Sequence, residues 1–225
     1  MNHGLISPSI FKGLPVKAFF TTKAFPSGEG LLKSWLRAEA LYIPIQKHTD
    51  KVLIVEYDLE PRIADAVVTN RKGLAVCVRV ADCVPILLYD VRNQVAGAVH
   101  AGWRGTGDAI IRKTIAVLRQ QYNSAPEDVI VAIGPSIKGS CYAVGREVVD
   151  AVTSATGKGD YVSIRGGNLY VDLPVANRLQ ALDEGVMPEK IWISDDCTHC
   201  LPDKFHSYRC TKEVAGRQYG IISME

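Results

Sequence analysis

Two histidines and a cysteine occupy three segments of the chain that could supply ligands to one metal ion. They are His48 in Gln46-Lys47-His48, Cys83 in Ala81-Asp82-Cys83-Val84-Pro85, and His100, which opens the segment His100-Ala101-Gly102-Trp103-Arg104-Gly105-Thr106. Cys83 and His100 lie at the ends of neighbouring predicted strands, so a hairpin would bring them together, and His48 precedes another predicted strand. Two imidazoles and one thiolate suit zinc, which accepts nitrogen and sulfur ligands. Three protein ligands leave the fourth tetrahedral position open to water or substrate, as is typical of a catalytic site.

The same residues are compatible with other chemistry. Cys83 as a thiolate nucleophile, with His100 as its base, would make the chain a cysteine hydrolase or deamidase. Copper also accepts imidazole and thiolate ligands, so a copper-dependent oxidase of phenols is a third hypothesis. Five histidines in the whole chain are few for the several coppers that oxygen reduction requires. Each residue alone is also compatible with a surface histidine or a core cysteine.

The segment that follows the second ligand histidine is a candidate phosphate site. A turn bracketed by glycines leads into a predicted helix, so that backbone N–H groups near Gly105 and Thr106 would face an anion. Arg104 adds a positive charge that can donate two parallel hydrogen bonds. Arg209 and Arg217 are weaker candidates for the same role. A tight turn with a solvated arginine would explain the segment equally well.

Near the C-terminus, Cys197-x-x-Cys200 followed by His206 and Cys210 approaches the spacing of a zinc knuckle. A set of three cysteines and one histidine is a valid structural zinc site, and zinc knuckles bind single-stranded RNA. The gap between Cys200 and His206 is longer than usual, and a net charge of +2 gives no basic surface for RNA. We therefore favour local packing, with His206 on one face of a predicted strand.

The composition predicts a single soluble domain spanning residues 1–225. With 47% hydrophobic and 22% charged residues, the chain is an ordinary globular protein, and its charge requires neither nucleic acid nor a membrane as partner. Charged residues interrupt the longest apolar run, and the N-terminus lacks the apolar core of a signal peptide. We therefore expect a cytoplasmic protein without disulfide bonds. Cys77 and Cys141, which have apolar neighbours, are predicted to lie in the core.

The spacing of apolar residues predicts strands and helices that together form an α+β fold with a mixed sheet. Short apolar or alternating runs between turn residues predict strands at 51–57, 66–69, 74–80, 85–89, 95–100, 129–133, 191–194, 205–209 and 220–224. Helical spacing predicts helices at 31–41, 107–122, 145–155 and 173–184. Asp172 is the predicted N-cap of the last helix. No glycine-rich dinucleotide-binding motif follows a strand.

Six longer motifs extend these observations over residues 46 to 224. They are DAVVTN, GLAVCVRVADCVPILLYD, VAGAVHAGWRGT, IGPSIKGSCYAVG, CTHCLPDKFHSYRC and GRQYGI. Together they resemble the laccase-domain family, whose members are called multicopper polyphenol oxidases or purine nucleoside phosphorylases. ADCVP and HAGWRGT are highly specific as a pair.

The resemblance implies a fold, a ligand set and an activity. The fold would be the mixed-sheet α/β sandwich of the laccase-domain type, which is similar to cysteine hydrolases related to cytotoxic necrotizing factor. The family's zinc ligands fall here on His48, Cys83 and His100. The implied activity is zinc-dependent phosphorolysis of adenosine, inosine, guanosine and methylthioadenosine, with adenosine deaminase activity. The implied partners are a small-molecule nucleoside and phosphate; the oligomeric state is not predicted.

Three departures from the family pattern bear on the expected substrate range. The N-terminal block is short and lacks the S-x-N-L-G run that is common in the family. Ala143 stands where many members have glutamate, and Cys210 where many have arginine. No residue can be identified from the sequence as the general acid or base that deamination requires. Asp82 is adjacent to Cys83 but would point to the opposite face of a strand, where it is expected to support the ligands indirectly.

Overall fold

A computed structural model describes residues 4–26, 28–212 and 216–225 of the chain. Strands β1 to β14 of these residues are Leu5–Ile6, Val16–Thr21, Ala40–Tyr42, Val52–Ile54, Ala66–Thr69, Leu74–Val80, Val84–Asp90, Val95–Ala101, Val129–Ile133, Ala143–Val144, Val162–Arg165, Asn168–Val171, Ile191–Ile193 and Gln218–Met224. Helices α1 to α6 are Glu29–Leu36, Trp103–Gly107, Ile110–Tyr122, Arg146–Thr156, Leu173–Asp183 and Tyr208–Thr211. Across the described ranges, no helix is long and apolar enough to cross a bilayer.

Two mixed sheets form a sandwich. The five-stranded sheet has the order β1-β2-β14-β6-β3, and the six-stranded sheet has the order β13-β9-β7-β8-β5-β4. Most neighbouring strands are antiparallel, whereas β3 runs parallel to β6, β4 to β5, and β13 to β9. A small antiparallel sheet, β10-β12-β11, lies outside the sandwich. The structure thus confirms the predicted mixed-sheet sandwich.

The central strands are buried on both faces, which explains their continuous apolar sequences. In β7, Leu87 and Tyr89 face the core between the two sheets, while Ile86 and Leu88 face helices α3 to α5. The outer face of the five-stranded sheet packs against α1. The resulting four layers, helix, sheet, sheet and helices, bury β7 and β8 along their whole length.

The predicted elements agree with the structure best in these central layers. Strands 66–69, 74–80 and 129–133 have the predicted bounds, and the side chains of β6 alternate between two cores as expected. The predicted helix 107–122 begins three residues later, as α3 at Ile110, because Ala109 adopts a left-handed conformation with φ 57°, and the separate short helix α2 ends at Gly107. The predicted strand 205–209 is wrong: the Ser207 side chain accepts the Cys210 N–H and caps the short helix α6. Strands β1, β2, β3 and β10 and the β11–β12 hairpin were not predicted, and the predicted helix 31–41 is too long, because α1 ends at Leu36 and β3 begins at Ala40.

Helix α2 is held against α5 by buried amide side chains. The Asn177 Nδ2 donates to the Thr106 hydroxyl at 2.9 Å, and the Gln180 Nε2 donates to the Thr106 carbonyl at 2.9 Å. All three side chains are fully buried. Because α2 directly follows β8, these bonds also fix the turn beyond His100.

The Asp172 cap gives a first prediction. One carboxylate oxygen accepts the Val175 N–H at 3.1 Å, and the other accepts the Gly139 N–H at 2.8 Å. Asp172→Ala removes both acceptors, so we expect the free energy of unfolding to fall by about 1–2 kcal/mol in chemical denaturation. Asp172→Asn keeps an acceptor for the cap and should lose less. An unchanged unfolding free energy in Asp172→Ala would contradict this role.

Candidate metal centre

The β7–β8 hairpin brings two of the three predicted ligands together. Cys83 directly precedes β7, and His100 lies near the end of β8, opposite Pro85 in the antiparallel register. His48 approaches from the loop before β4, with its Nε2 3.9 Å from the Cys83 Sγ. The rings of His48 and His100 have centroids 4.9 Å apart and are inclined by 72°. One donor atom from each of the three residues lies within 4.8 Å of the other two.

Local backbone geometry leaves room for an ion among these donors. His48 has a left-handed conformation, with φ 58°. The preceding Gln46 holds the loop by exchanging two 2.8 Å hydrogen bonds with the backbone of Arg79. A Cβ atom at Gly102 would lie 3.1 Å from both the Cys83 Sγ and the His48 Cδ2. A glycine at 102 therefore keeps the cluster open, and the two imidazoles and one thiol fit zinc or copper.

Asp65, which the sequence analysis missed, organises the histidines. Its buried carboxylate accepts a 2.7 Å hydrogen bond from the His100 Nδ1 and also accepts the backbone N–H groups of Lys47, His48 and Thr49. The Thr49 hydroxyl donates to it as well, at 2.8 Å. A signal was present in the sequence, because Asp65 opens the DAVVTN run just before β5, the strand that pairs with β8.

The charges within the cluster favour a thiolate beside a protonated imidazole in the absence of metal. Burial opposes ionisation of Cys83, but the charge and hydrogen bonds of His100 and His48 outweigh it and lower the pKa of the thiol to about 6. Burial likewise disfavours the charged form of His100, yet Cys83 and Asp65 raise the pKa of His100 to about 9. Burial raises the pKa of Asp65, but hydrogen bonds from His100 and Thr49 lower it to about 2.

Asp82 joins the ligand segment to the C-terminal part of the chain. It has a positive φ of 80° and is buried. Its carboxylate accepts hydrogen bonds from the Thr198 hydroxyl at 2.6 Å, the Ser207 hydroxyl at 3.0 Å and the Arg209 N–H at 2.6 Å. Asp82 therefore ties the backbone next to Cys83 to the C-terminal part of the chain, and its carboxylate oxygens already accept three hydrogen bonds.

Arg209 and Tyr142 form one wall beside the cluster. The Arg209 guanidinium lies 5.1 Å from the centroid of the Tyr142 ring and donates to the Ala143 carbonyl at 3.2 Å. Burial and the charge of Cys83 raise the pKa of Tyr142 to about 12, partly offset by the positive charges of Arg209 and Arg104. Tyr142 is a second site residue that the sequence analysis missed, although it lies in the quoted CYAVG motif.

The other phosphate candidates occupy different environments. Arg104 is exposed and stacks on Trp103, with its guanidinium carbon 4.4 Å from the ring centroid. Gly105 and Thr106 are buried, and the Thr106 hydroxyl accepts from Asn177, so it faces the interior. Arg217 is exposed and donates to the Gly216 carbonyl. Arg209, whose guanidinium lies over the Tyr142 ring, and the exposed Arg104, whose charge also acts on Tyr142, therefore remain the candidates for a phosphate site.

The C-terminal cysteines are arranged differently from the zinc-knuckle hypothesis. Among the described residues, Cys197, Cys200, His206 and Cys210 do not form one ligand group. Cys200 instead groups with His199 and Cys141. The expectation that Cys141 lies in the core is therefore wrong, since it is only partly buried and its Sγ lies 3.1 Å from the Cys200 Sγ. Cys77 is fully buried, as predicted.

Comparison with known proteins places the chain among related sequences and structures. Residues 29–225 match the family model described as multi-copper polyphenol oxidoreductase laccase. A purine nucleoside phosphorylase of Bacteroides thetaiotaomicron is 35% identical over 192 residues, covering 80% of this chain and 71% of that protein. A purine nucleoside phosphorylase of Clostridium acetobutylicum is 36% identical over 193 residues, covering 85% and 80% respectively.

The fold agrees with a solved structure. YlmD of Geobacillus stearothermophilus superposes with a TM-score of 0.91 at 26% identity, covering 100% of this chain and 97% of that chain. The match to the family model extends over most of the chain and includes Cys83 and His100 together with the motifs around them. The chain therefore belongs to the multi-copper polyphenol oxidoreductase laccase family.

Proposed function

We propose that the chain is a zinc-dependent purine nucleoside phosphorylase that acts on adenosine, inosine, guanosine and methylthioadenosine, with adenosine deaminase activity at the same site. One observation carries the proposal: one donor atom each of His48, Cys83 and His100 lies within 4.8 Å of the other two, and the Arg209 backbone N–H is bonded to Asp82, the neighbour of Cys83. The names of the relatives support the choice of substrate class.

Phosphorolysis requires a held phosphate and a departing purine. An oxygen of phosphate bonds to the ribose C1′ while the bond from C1′ to the purine nitrogen breaks, and the purine leaves with the electron pair and takes up a proton. Arg209 would orient the phosphate, because its guanidinium is fixed by the Ala143 carbonyl and retains further N–H donors. Arg104, which stacks on Trp103 and is exposed to solvent, would add a second positive charge.

Asp65 would fix the ligand geometry. A hydrogen bond from the His100 Nδ1–H to Asp65 leaves the Nε2 lone pair directed at the cluster, and the same carboxylate holds the backbone of His48. Zinc bound here would act as a Lewis acid that polarises a substrate oxygen or lowers the pKa of water. The thiol and imidazoles would therefore serve as ligands.

Deamination requires a general acid or base in addition. Asp82 is unsuited to this role, because three donors engage its oxygens. The balance between phosphorolysis and deamination is therefore a question for product analysis. Adenine would report phosphorolysis of adenosine, and inosine would report deamination.

Cysteine-hydrolase activity is a second candidate, and one observation favours it. Cys83, His100 and Asp65 follow one another as a nucleophile, a base and the carboxylate that orients the base. In that case alkylation of Cys83 would abolish activity, and a metal chelator would leave activity unchanged. A copper oxidase would instead be marked by bound copper and by turnover of phenols.

Removal of a ligand tests the proposed metal chemistry. We expect Cys83→Ala and His100→Ala to lose zinc from this site and to lose adenosine turnover by more than about 100-fold, since loss of a ligand should exceed the effect of losing an outer partner. Metal analysis and chromatography of products, with and without phosphate, provide the measurements. Asp50→Asn, which changes a partly exposed carboxylate paired with Lys113, is the control. Wild-type turnover in either ligand variant would exclude the proposal.

Asp65 gives a test of positioning. Asp65→Asn keeps the size of the side chain but removes the charge that holds His100 and the His48 loop, so zinc affinity should fall by about 10–100-fold. Competition with a chromophoric chelator measures that affinity. Asp50→Asn is the control, because Asp50 is a partly exposed carboxylate paired with Lys113. Equal affinities in the two variants would show that Asp65 is not a positioning residue.

The phosphate site is tested by comparing arginine and threonine variants. Arg104→Gln and Arg209→Gln each remove a charged donor, and one such hydrogen bond is worth about 1.5–3 kcal/mol. We therefore expect the KM for phosphate to rise by about 10-fold or more in steady-state assays. Thr106→Val should leave this KM unchanged while lowering stability by about 1 kcal/mol, because its hydroxyl is an internal acceptor. A phosphate KM that changes only in Thr106→Val would reverse the assignment.

A further inference from the structure

A second group of metal-binding side chains lies outside the cluster described above. Cys141, His199 and Cys200 each offer one ligand atom, and these atoms all lie within 4.8 Å of one another. The Cys141 and Cys200 sulfurs are 3.1 Å apart. The proposed phosphorolysis uses none of these three residues.

The fold brings these residues together through two neighbouring parallel strands. Cys141 lies in the segment after β9, and His199 and Cys200 lie in the segment after β13. Because β9 and β13 are parallel partners, their carboxyl ends meet at the same edge of the sheet. The side chains are thus adjacent although Cys141 and Cys200 are 59 positions apart in sequence.

Backbone bonds hold the two segments in this arrangement. Ser136 pairs with Cys197 in an isolated bridge, and the Thr198 N–H donates to the Ser136 carbonyl at 3.1 Å. The Lys138 N–H is directed at the Cys197 sulfur at 3.5 Å. The Cys141 N–H closes a turn on the Lys138 carbonyl at 2.9 Å. Backbone hydrogen bonds therefore join the segments that carry Cys141, His199 and Cys200, so the three side chains are close together before an ion binds.

The donor types and their exposure suit a soft metal ion. Zinc accepts two sulfurs and one imidazole nitrogen as ligands. The first group, His48, Cys83 and His100, instead offers one sulfur and two imidazole nitrogens. Cys200 is exposed, and Cys141 and His199 are partly buried, so an ion could enter from solvent.

We propose that Cys141, His199 and Cys200 bind a second zinc ion, at a site distinct from that formed by His48 and Cys83. Binding of one Zn²⁺ converts two thiols to thiolates and releases two protons, while neutral His199 donates its lone pair. Three protein ligands leave one coordination position for water. Copper(I) shares this preference for sulfur and would be detected by the same metal analysis.

The second site adjoins residues that form or support the first site, which gives a bound ion a structural role. Cys141 adjoins Tyr142, and His199 adjoins Thr198, whose hydroxyl donates to Asp82. An ion bridging Cys141 and His199 would cross-link the segments that carry these contacts. The second site would therefore stabilise the wall of the first site and would not itself contact substrate.

A disulfide between Cys141 and Cys200 would use the same sulfurs, but it would have no role for His199. The test therefore uses the full chain, purified with a reductant, stripped with a chelator and titrated with zinc, followed by metal analysis. We expect two zinc ions per wild-type chain. Cys141→Ser, His199→Ala and Cys200→Ser should each lose one equivalent, whereas Cys210→Ser should keep both.

Cobalt substitution separates the two sites. Cys83→Ala removes the only sulfur donor of the first site, so absorption from thiolate-to-cobalt charge transfer should persist in this variant and disappear in the Cys83→Ala/Cys200→Ser double variant. This result is independent of the proposed activity. Absence of the absorption in Cys83→Ala, unchanged zinc content in Cys200→Ser, or a Cys141–Cys200 disulfide that persists in reductant would overturn the proposal.

Discussion

The buried carboxylate of Asp65 is the interaction on which the arrangement of the site depends. A buried ionised group is costly unless donors surround it; here the His100 ring, three backbone N–H groups and the Thr49 hydroxyl do so. These bonds connect the His48 loop to β8. The carboxylate thus joins the two histidines directly, in addition to the backbone pairing of β4 with β5 and of β5 with β8. Because hydrogen bonds to a charged group are stronger than neutral ones, one side chain can determine the positions of both imidazoles.

The remaining supports of the site come from the layered core and from Asp82. Strands β7 and β8 are buried on both faces, so Cys83 and His100 emerge from a part of the molecule with little freedom to move. Asp82 then connects this rigid edge to Thr198, Ser207 and the Arg209 backbone. Segments distant in sequence thus meet at one edge of the six-stranded sheet.

The sequence predicted the parts of this arrangement that depend on local pattern. Strand β6 follows from apolar spacing, and the proposed ligands Cys83 and His100 follow from donor type at predicted strand ends. Asp65 was missed because its role depends on the pairing of β5 with β8, which spacing alone does not specify. The strand predicted at 205–209 was wrong because a side-chain cap at Ser207 overrode an alternating pattern. Cys141 was misassigned because its partner Cys200 lies in a segment, after β13, that is adjacent only in the folded chain.

The conformation of His48 bears on the choice between a metal centre and a thiol nucleophile. A nucleophilic mechanism uses Cys83, His100 and Asp65 but gives no role to His48. Yet His48 has a φ of 58°, which for a residue with a side chain costs about 1 kcal/mol, and its N–H is held by Asp65. The fold therefore sustains a strained backbone that directs a second imidazole to within 3.9 Å of the Cys83 sulfur. Strain of this kind is usually retained where function requires it, so the geometry favours the proposed role of His48 as a third metal ligand over a mechanism that leaves this residue unused.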